Sequence, residues 1–346
     1  MKEPAQKILV RKYLNWGTVK TRLAKYTNIA KLFPLQELQK CSEKAPFYCH
    51  YLGWRLGTWK TEEWFEFFDR LLEFGINLPG WDRCRLSPNV CVFENFWGFI
   101  WELQTANFFA NYPSVEKTEW LRTGPDIKVK IESHEFFVEC TTYRKSFGLE
   151  EFISELFRCI SQEIRVEHIP CLKFSLPKNN EIGTFLDDLF SPYLDPSFLS
   201  RKIEEAQHHS PIILPVPSTA ENFYVYLENQ NAPDQDYPLL LTLSNAGDPA
   251  AYLEDALNKS IKNKAKGNHL RENRPNLLMI NLLLGNDWQL AKALRPMPKP
   301  KFGEPFDGVL FTACSIDSIP TLQNSYIYPR DNSNPMKYLM KELDNL

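Results

Sequence analysis

Glu102, Asp126 and Glu139 are acids in apolar company. They stand in one stretch, residues 93–145, which reads FENFWGFIWELQTANFFANY and then EKTEWLRTGPDIKVKIESHEFFVECTTYRK. The neighbours of each acid are of the kind that proteins bury, and a buried carboxylate without a partner is costly. A divalent cation in a shell of oxygens serves several carboxylates at once. The chemistry to which this trio points is therefore the binding of Mg2+ (or Mn2+), with Asp126, Glu139 and the Cys140 backbone carbonyl as ligands and Glu102 assisting through a second ion or a water.

These acids need elements to carry them. A helix is expected over about 92–112, where Phe99, Glu102, Ala106 and Phe109 fall on one stripe at helical spacing, so that Glu102 points with the apolar face. The competing reading of Glu102 is an acid at the rim, paired with an arginine such as Arg122. After the Gly124-Pro125-Asp126 turn, Ile127, Val129 and Ile131 alternate with Lys128, Lys130 and Glu132, the period of a half-buried strand. A short connection at Ser133-His134 returns the chain as a second strand, on which Glu139 and Thr141 share one face. Asp126, at the start of the first strand, is expected to face that pair across the hairpin.

The layout resembles the core of the PD-(D/E)XK nuclease superfamily, the restriction-endonuclease-like fold. Glu102, Pro125-Asp126 and Glu139-Cys140-Thr141 match the helix acid, the strand-start aspartate and the Glu-X-Lys of that family, with Thr141 where the family has lysine. The resemblance implies an αβββαβ core, a mixed central sheet flanked by helices, and hydrolysis of phosphodiester bonds, with DNA ahead of RNA as the partner. It also implies that the metal polarises the scissile phosphate and activates a water, and it leaves room for a homodimer. In the resembling enzymes the lysine stabilises the developing charge. Threonine donates a hydrogen bond but carries no charge. Arg144 and Lys145, on the second strand or its exit loop, and Lys262, Lys264 and Lys266, in PAAYLEDALNKSIKNKAKG, are the candidates to replace it, with Lys145 and Lys264 ahead. Lys264-Ala265-Lys266-Gly267 is similar to a Lys-Ala-Lys-Gln sequence that some relatives carry, apart from Gly267. A solvated basic face is the competing reading for any one of these lysines.

Composition sets outer bounds. The 346 residues are 43% hydrophobic and 24% charged with a net charge of −3, which suits a globular chain with a sizeable core. That balance does not advertise nucleic-acid binding, although a local basic cleft would suffice. No run approaches the roughly eighteen apolar residues of a membrane helix, and the first residues lack a signal-peptide core, so a cytoplasmic protein with no membrane partner is expected. The eight cysteines show no C-x-x-C pairing and read as buried thiols rather than zinc ligands.

Along the chain, residues 1–88 read as a mainly helical N-terminal region with a basic arm, in which Lys2, Lys7, Arg11, Lys12, Lys20, Arg22, Lys25 and Lys31 face one acid, Glu3, over residues 1–32. That arm either touches phosphates or is a solvated helix face. Residues 89–346 read as the α/β core, with an inserted helical and Pro-rich segment over about 177–220. Within it a helix is expected over 148–168 and strands over 171–176, 223–227, 239–243, 276–284, 307–313 and 326–328, with a last helix from Pro335. Three functional readings follow: a metal-dependent nuclease, a module that kept the fold and lost the chemistry while binding nucleic acid or a protein, and an unrelated α/β protein whose acids are structural.

Overall fold

The computed structural model describes residues 3–44, 51–58, 62–81, 93–144, 152–153, 156–160, 167–171, 181–208, 212–215, 222–228, 249–267, 270, 275–283, 301–314, 319 and 326–329. Helices α1 (Ala5–Tyr13), α2 (Trp16–Lys25), α3 (Thr27–Leu32), α4 (Leu35–Lys44), α5 (Tyr51–Thr58) and α6 (Glu62–Asn77) come first, followed by α7 (Phe93–Ala110). Strands β1 (Val115–Trp120), β2 (Ile127–Ile131) and β3 (His134–Arg144) form an antiparallel meander. Next come β4 (Glu167–Cys171), α8 (Ile182–Phe190), α9 (Pro196–His208), β5 (Ile212–Pro215) and β6 (Asn222–Glu228). The chain then returns through α10 (Pro249–Lys264) to β7 (Asn276–Leu283), β8 (Gly308–Cys314) and β9 (Tyr326–Pro329).

Six strands make one open mixed sheet in the order β1-β2-β3-β7-β8-β9, and β4-β6-β5 make a smaller antiparallel one. Within the large sheet β3, β7 and β8 are parallel. Strand β7 reads NLLMINLL and is buried along its described length, as a parallel strand covered on both faces must be. Its side chains sort by alternation into two cores. Leu277 and Met279 join the large cluster with α7, whereas Leu278, Ile280 and Leu282 join Ala256, Leu257 and Ile261 of α10. The two helices therefore cover opposite faces of the sheet.

Helix α7 is apolar on nearly every side and is correspondingly buried between α6 and the sheet, with Phe96, Trp97, Ile100, Trp101 and Leu103 fully enclosed. Two polar contacts fix its height. The Trp101 indole N–H donates to the Met279 carbonyl of β7 at 3.1 Å, and the Thr142 hydroxyl of β3 donates to the Trp97 carbonyl at 3.3 Å. Arg55 of α5 lies buried against the rings of Trp64 (α6) and Trp97 (α7), its guanidinium carbon 5.0 and 5.1 Å from their centroids.

The basic N-terminal stretch is folded into α1–α3, whose Leu9, Val10, Val19, Leu23 and Ile29 enter the same core as α7. Three of its cations are seen in internal ion pairs: Arg11 meets Glu3 at 2.5 Å, and Arg22 Nε and Lys25 Nζ lie 2.9 and 3.2 Å from Glu62, the first residue of α6. The Tyr26 hydroxyl also donates to Glu62, at 2.6 Å. That hydrogen bond, against some burial and with help from Arg22 and Lys25, holds Glu62 down to about 2 from its usual 4.5. A depressed carboxyl stabilises the fold above its unfolded value and loses that contribution as pH falls through its folded value. Glu62→Gln is therefore expected to lower stability by about 1 kcal/mol or less near pH 7, because the group is partly exposed and screened. The difference should shrink steadily as pH falls from about 4.5 toward 2, which chemical unfolding of both proteins across that range measures.

Several expectations are corrected here. Strand β1 was not expected, because Val115 and Trp120 are its only apolar residues, Glu116, Lys117 and Glu119 stand between them, and a register shift between Val115 and Lys117 breaks the alternation. Glu167 and His168, expected to end a helix, instead begin strand Glu167–Cys171, which belongs to the smaller sheet. Of the strand expected over 171–176 only Cys171 is described, as the last residue of that strand, and residues 172–176 lie outside the described residues. The turn between β2 and β3 is Glu132-Ser133, with Glu132 at φ 53° and His134 already paired with Ile131. Residues 239–243 and the segment from Pro335 lie outside the described residues.

Candidate functional site

The β2–β3 hairpin brings the acids together. Ile127 pairs with Val138, so Asp126, one residue earlier, stands opposite Glu139. Gly124 (φ 92°) turns the loop that leads to it. The Leu121 N–H donates to the Asp126 carbonyl at 3.0 Å and closes that loop. On the other side the Asp126 carboxylate Oδ2 accepts the Cys140 N–H at 2.7 Å, which ties the aspartate to β3 by a charge-assisted bond.

Glu139 is buried, with its side chain 6% exposed, and its Oε1 accepts from Lys264 Nζ at 2.6 Å. Lys264 is the last residue of α10, on the face of the sheet that Glu139 shares by alternation with Thr141 and Tyr143. Burial alone would pull the ammonium down. The neighbouring Asp126 and Glu139 carboxylates outweigh it, so Lys264 is raised above its usual 10.5 and stays charged at neutral pH. Thr141 is half-buried beside Ile280 of β7.

Cys140 points to the opposite face, under α7, and is fully buried. Its thiol is pushed well above the usual 9.0, first by desolvation and then by the charges of Asp126, Glu102 and Glu139, while the neighbouring Thr105 hydroxyl works the other way. All three acids of the sequence reading thus act on one residue. Glu102 is half-buried on α7, among the buried Phe99, Ala106 and Phe109 of its stripe.

Of the residues singled out from the sequence, Asp126, Glu139 and Lys264 meet at the strand start, with Thr141 two residues further along β3, whereas Glu102 stands on α7, over the opposite face of the sheet. Lys262 and Lys266 are exposed, and Lys145 lies outside the described residues. The direct pairing of Lys264 with Glu139 was open to sequence reasoning only as one of several lysines. Trp97 and Trp101, which seat α7 on the sheet, were missed as positioning residues. Their signal was an aromatic pair one turn and one residue before Glu102.

The donor set is hard and anionic. Two carboxylates and the Cys140 carbonyl suit Mg2+ or Mn2+ better than a soft metal. Among the described residues, no group of three or more His, Cys, Asp or Glu side chains is arranged to hold a metal ion, so an ion here would draw on backbone oxygen and water besides the two acids. Also among the described residues, no helix is long and apolar enough to cross a membrane. Comparison with protein-family models, with curated proteins and with solved structures finds no match to this chain.

Proposed function

We propose that the chain is a metal-dependent nuclease that hydrolyses phosphodiester bonds, with DNA as the expected substrate, on a restriction-endonuclease-like core. The observation that carries this reading is a charged lysine 2.6 Å from a buried glutamate that stands opposite an aspartate at a strand start. The order α7-β1-β2-β3, then α10-β7, around a mixed sheet supports it, because an αβββαβ core runs in that order. The residues fit the ion, with Asp126, Glu139 and the Cys140 carbonyl as its ligands and Glu102 able to hold a water at its margin. When bound, Mg2+ or Mn2+ supplies Lewis acidity to the phosphoryl group and a water of lowered pKa.

The chain's own groups do the rest. Lys264, fixed as a cation by its acidic neighbours, serves as an electrostatic group rather than a proton acceptor, and its charge answers the negative charge that builds on the phosphoryl oxygens. It takes the part that Thr141 cannot. The Thr141 hydroxyl, on the same face, contributes a hydrogen bond.

The test is cleavage of mixed DNA and RNA substrates with Mg2+, Mn2+ or EDTA, by wild type and by Glu139→Gln. Glutamine keeps an oxygen for Lys264 and removes the charge. Metal-dependent cutting that Glu139→Gln reduces about 10³-fold or more, with an unchanged circular-dichroism spectrum, is the expected result. Absence of cutting with every substrate and both metals would sink the enzyme reading and leave a module of this fold that binds nucleic acid or a protein.

A further inference from the structure

The Lys264–Glu139 pair sets one cation against another. Glu139 is buried opposite a second carboxylate, and two acids so placed repel unless positive charge stands beside them. In the structure that charge is the Lys264 ammonium, 2.6 Å from Oε1, on a side chain that is itself 33% exposed. A divalent ion held by Asp126 and Glu139 would bring two further positive charges to the same carboxylate. At such separations like charges repel by several kcal/mol in a poorly screened setting, so the ammonium and the metal do not share Glu139 without cost to one of them.

We propose that Lys264 is the resident counter-ion of the acidic pair, displaced from Glu139 when a divalent cation binds and so released toward the phosphate of the substrate. The inference rests on the reading of Asp126 and Glu139 as metal ligands. The position of the lysine permits the exchange. Lys264 ends α10, the chain turns at Ala265–Lys266 and reaches Gly267, and a four-carbon stem swings an ammonium without moving the sheet. Nothing in the β2–β3 ladder has to break, since Asp126 stays on the Cys140 N–H. The exchange also makes metal and phosphate cooperative: a site without metal keeps its lysine on Glu139, and a site with metal presents that lysine to an anion.

Calorimetric titration of Mn2+ into wild type, Lys264→Met and Lys264→Arg, without any nucleic acid, tests the competition. Lys264→Met should bind Mn2+ about tenfold tighter, the equivalent of roughly 1.4 kcal/mol no longer lost to displacing the ammonium. Lys264→Arg, which keeps the charge, should bind near the wild-type level. Thermal unfolding gives a second readout: Lys264→Met should melt below wild type in EDTA and gain more from Mn2+ than wild type does. If Lys264→Met does not fold without metal, Lys264→Gln carries the comparison, because its amide still donates to Glu139 without a charge. Wild type that binds Mn2+ while the neutral variants bind it equally or more weakly would overturn the competition and leave the metal site standing. No Mn2+ binding by any of the proteins would overturn both.

Discussion

If the chain is the metal-dependent nuclease proposed above, Asp126→Asn is expected to cut its cleavage by about 10³-fold or more while the protein keeps its fold. The asymmetry follows from what the carboxylate does in the structure. Its Oδ2 accepts the Cys140 N–H at 2.7 Å, and an asparagine oxygen accepts the same bond. The hairpin should therefore close as before, with Leu121 still bonded to the Asp126 carbonyl through the backbone. What asparagine lacks is the charge, and with it one of the two anionic donors for a hard cation. Asp126→Ala makes the contrast. It removes the acceptor as well, leaves the Cys140 N–H unsatisfied, and should cost a further 1–3 kcal/mol or about that in stability. Single-turnover cleavage together with urea unfolding separates the two. Equal loss of stability in both variants would mean that the aspartate is structural, and retained cleavage in Asp126→Asn would remove it from the metal site.

How far the sequence reaches is decided by distance along the chain. The hairpin was legible because alternation over Ile127–Ile131 and the Gly124-Pro125-Asp126 turn are local signals, and a period of two places Glu139 and Thr141 on one face whatever the rest of the fold does. The long apolar runs of β7 and β8 were legible for the same reason. Strand β1 was not, because an edge strand that is half solvated and bulged carries charges where a buried one would carry valines. The parallel crossover from β3 to β7 was also hidden. Its helix, α10, stands after the smaller sheet, and the strand nearest in sequence, β4, joins that sheet instead. The site inherits this limit. Asp126 and Glu139 follow from one hairpin, whereas Lys264 reaches Glu139 across 125 positions. Only the packing of α10 on β3 distinguishes it from Lys262 and Lys266, two residues away on either side. Chemistry narrowed the choice to a cation, and tertiary structure picked which one.

Gly80→Ala is expected to be among the most damaging small substitutions, at about 3 kcal/mol or more, and to loosen the proposed metal site without touching it. Gly80 sits at φ 85° in the turn after α6, a conformation that costs an L-residue roughly 1–2 kcal/mol. A Cβ there would lie 1.8 Å from the Trp120 carbonyl oxygen and 2.9 Å from its carbon. Both are backbone atoms, so no side-chain rotation relieves the contact and the turn and β1 must part. The same approach carries the Trp120 N–H to Pro79 carbonyl bond of 2.8 Å, which would open with them. Trp120 also packs on Trp81 and Phe99, with centroids at 5.4 and 6.1 Å, so a shift of β1 disturbs the aromatic wall under α7. From there the path to the site is short. Trp120 pairs with Ile127, and the next residue, Leu121, holds Asp126 through its carbonyl. Weakened Mn2+ binding should therefore accompany the loss of stability. Gly98→Ala is the matched control: its Cβ would meet nothing within 4 Å, inside helix α7, where alanine is favoured over glycine by about 0.5–1 kcal/mol. It should hold or raise the unfolding midpoint and leave Mn2+ binding unchanged. If Gly80→Ala unfolds at the wild-type midpoint, the close approach at Trp120 is not what fixes β1, and the aspartate is anchored by β3 alone.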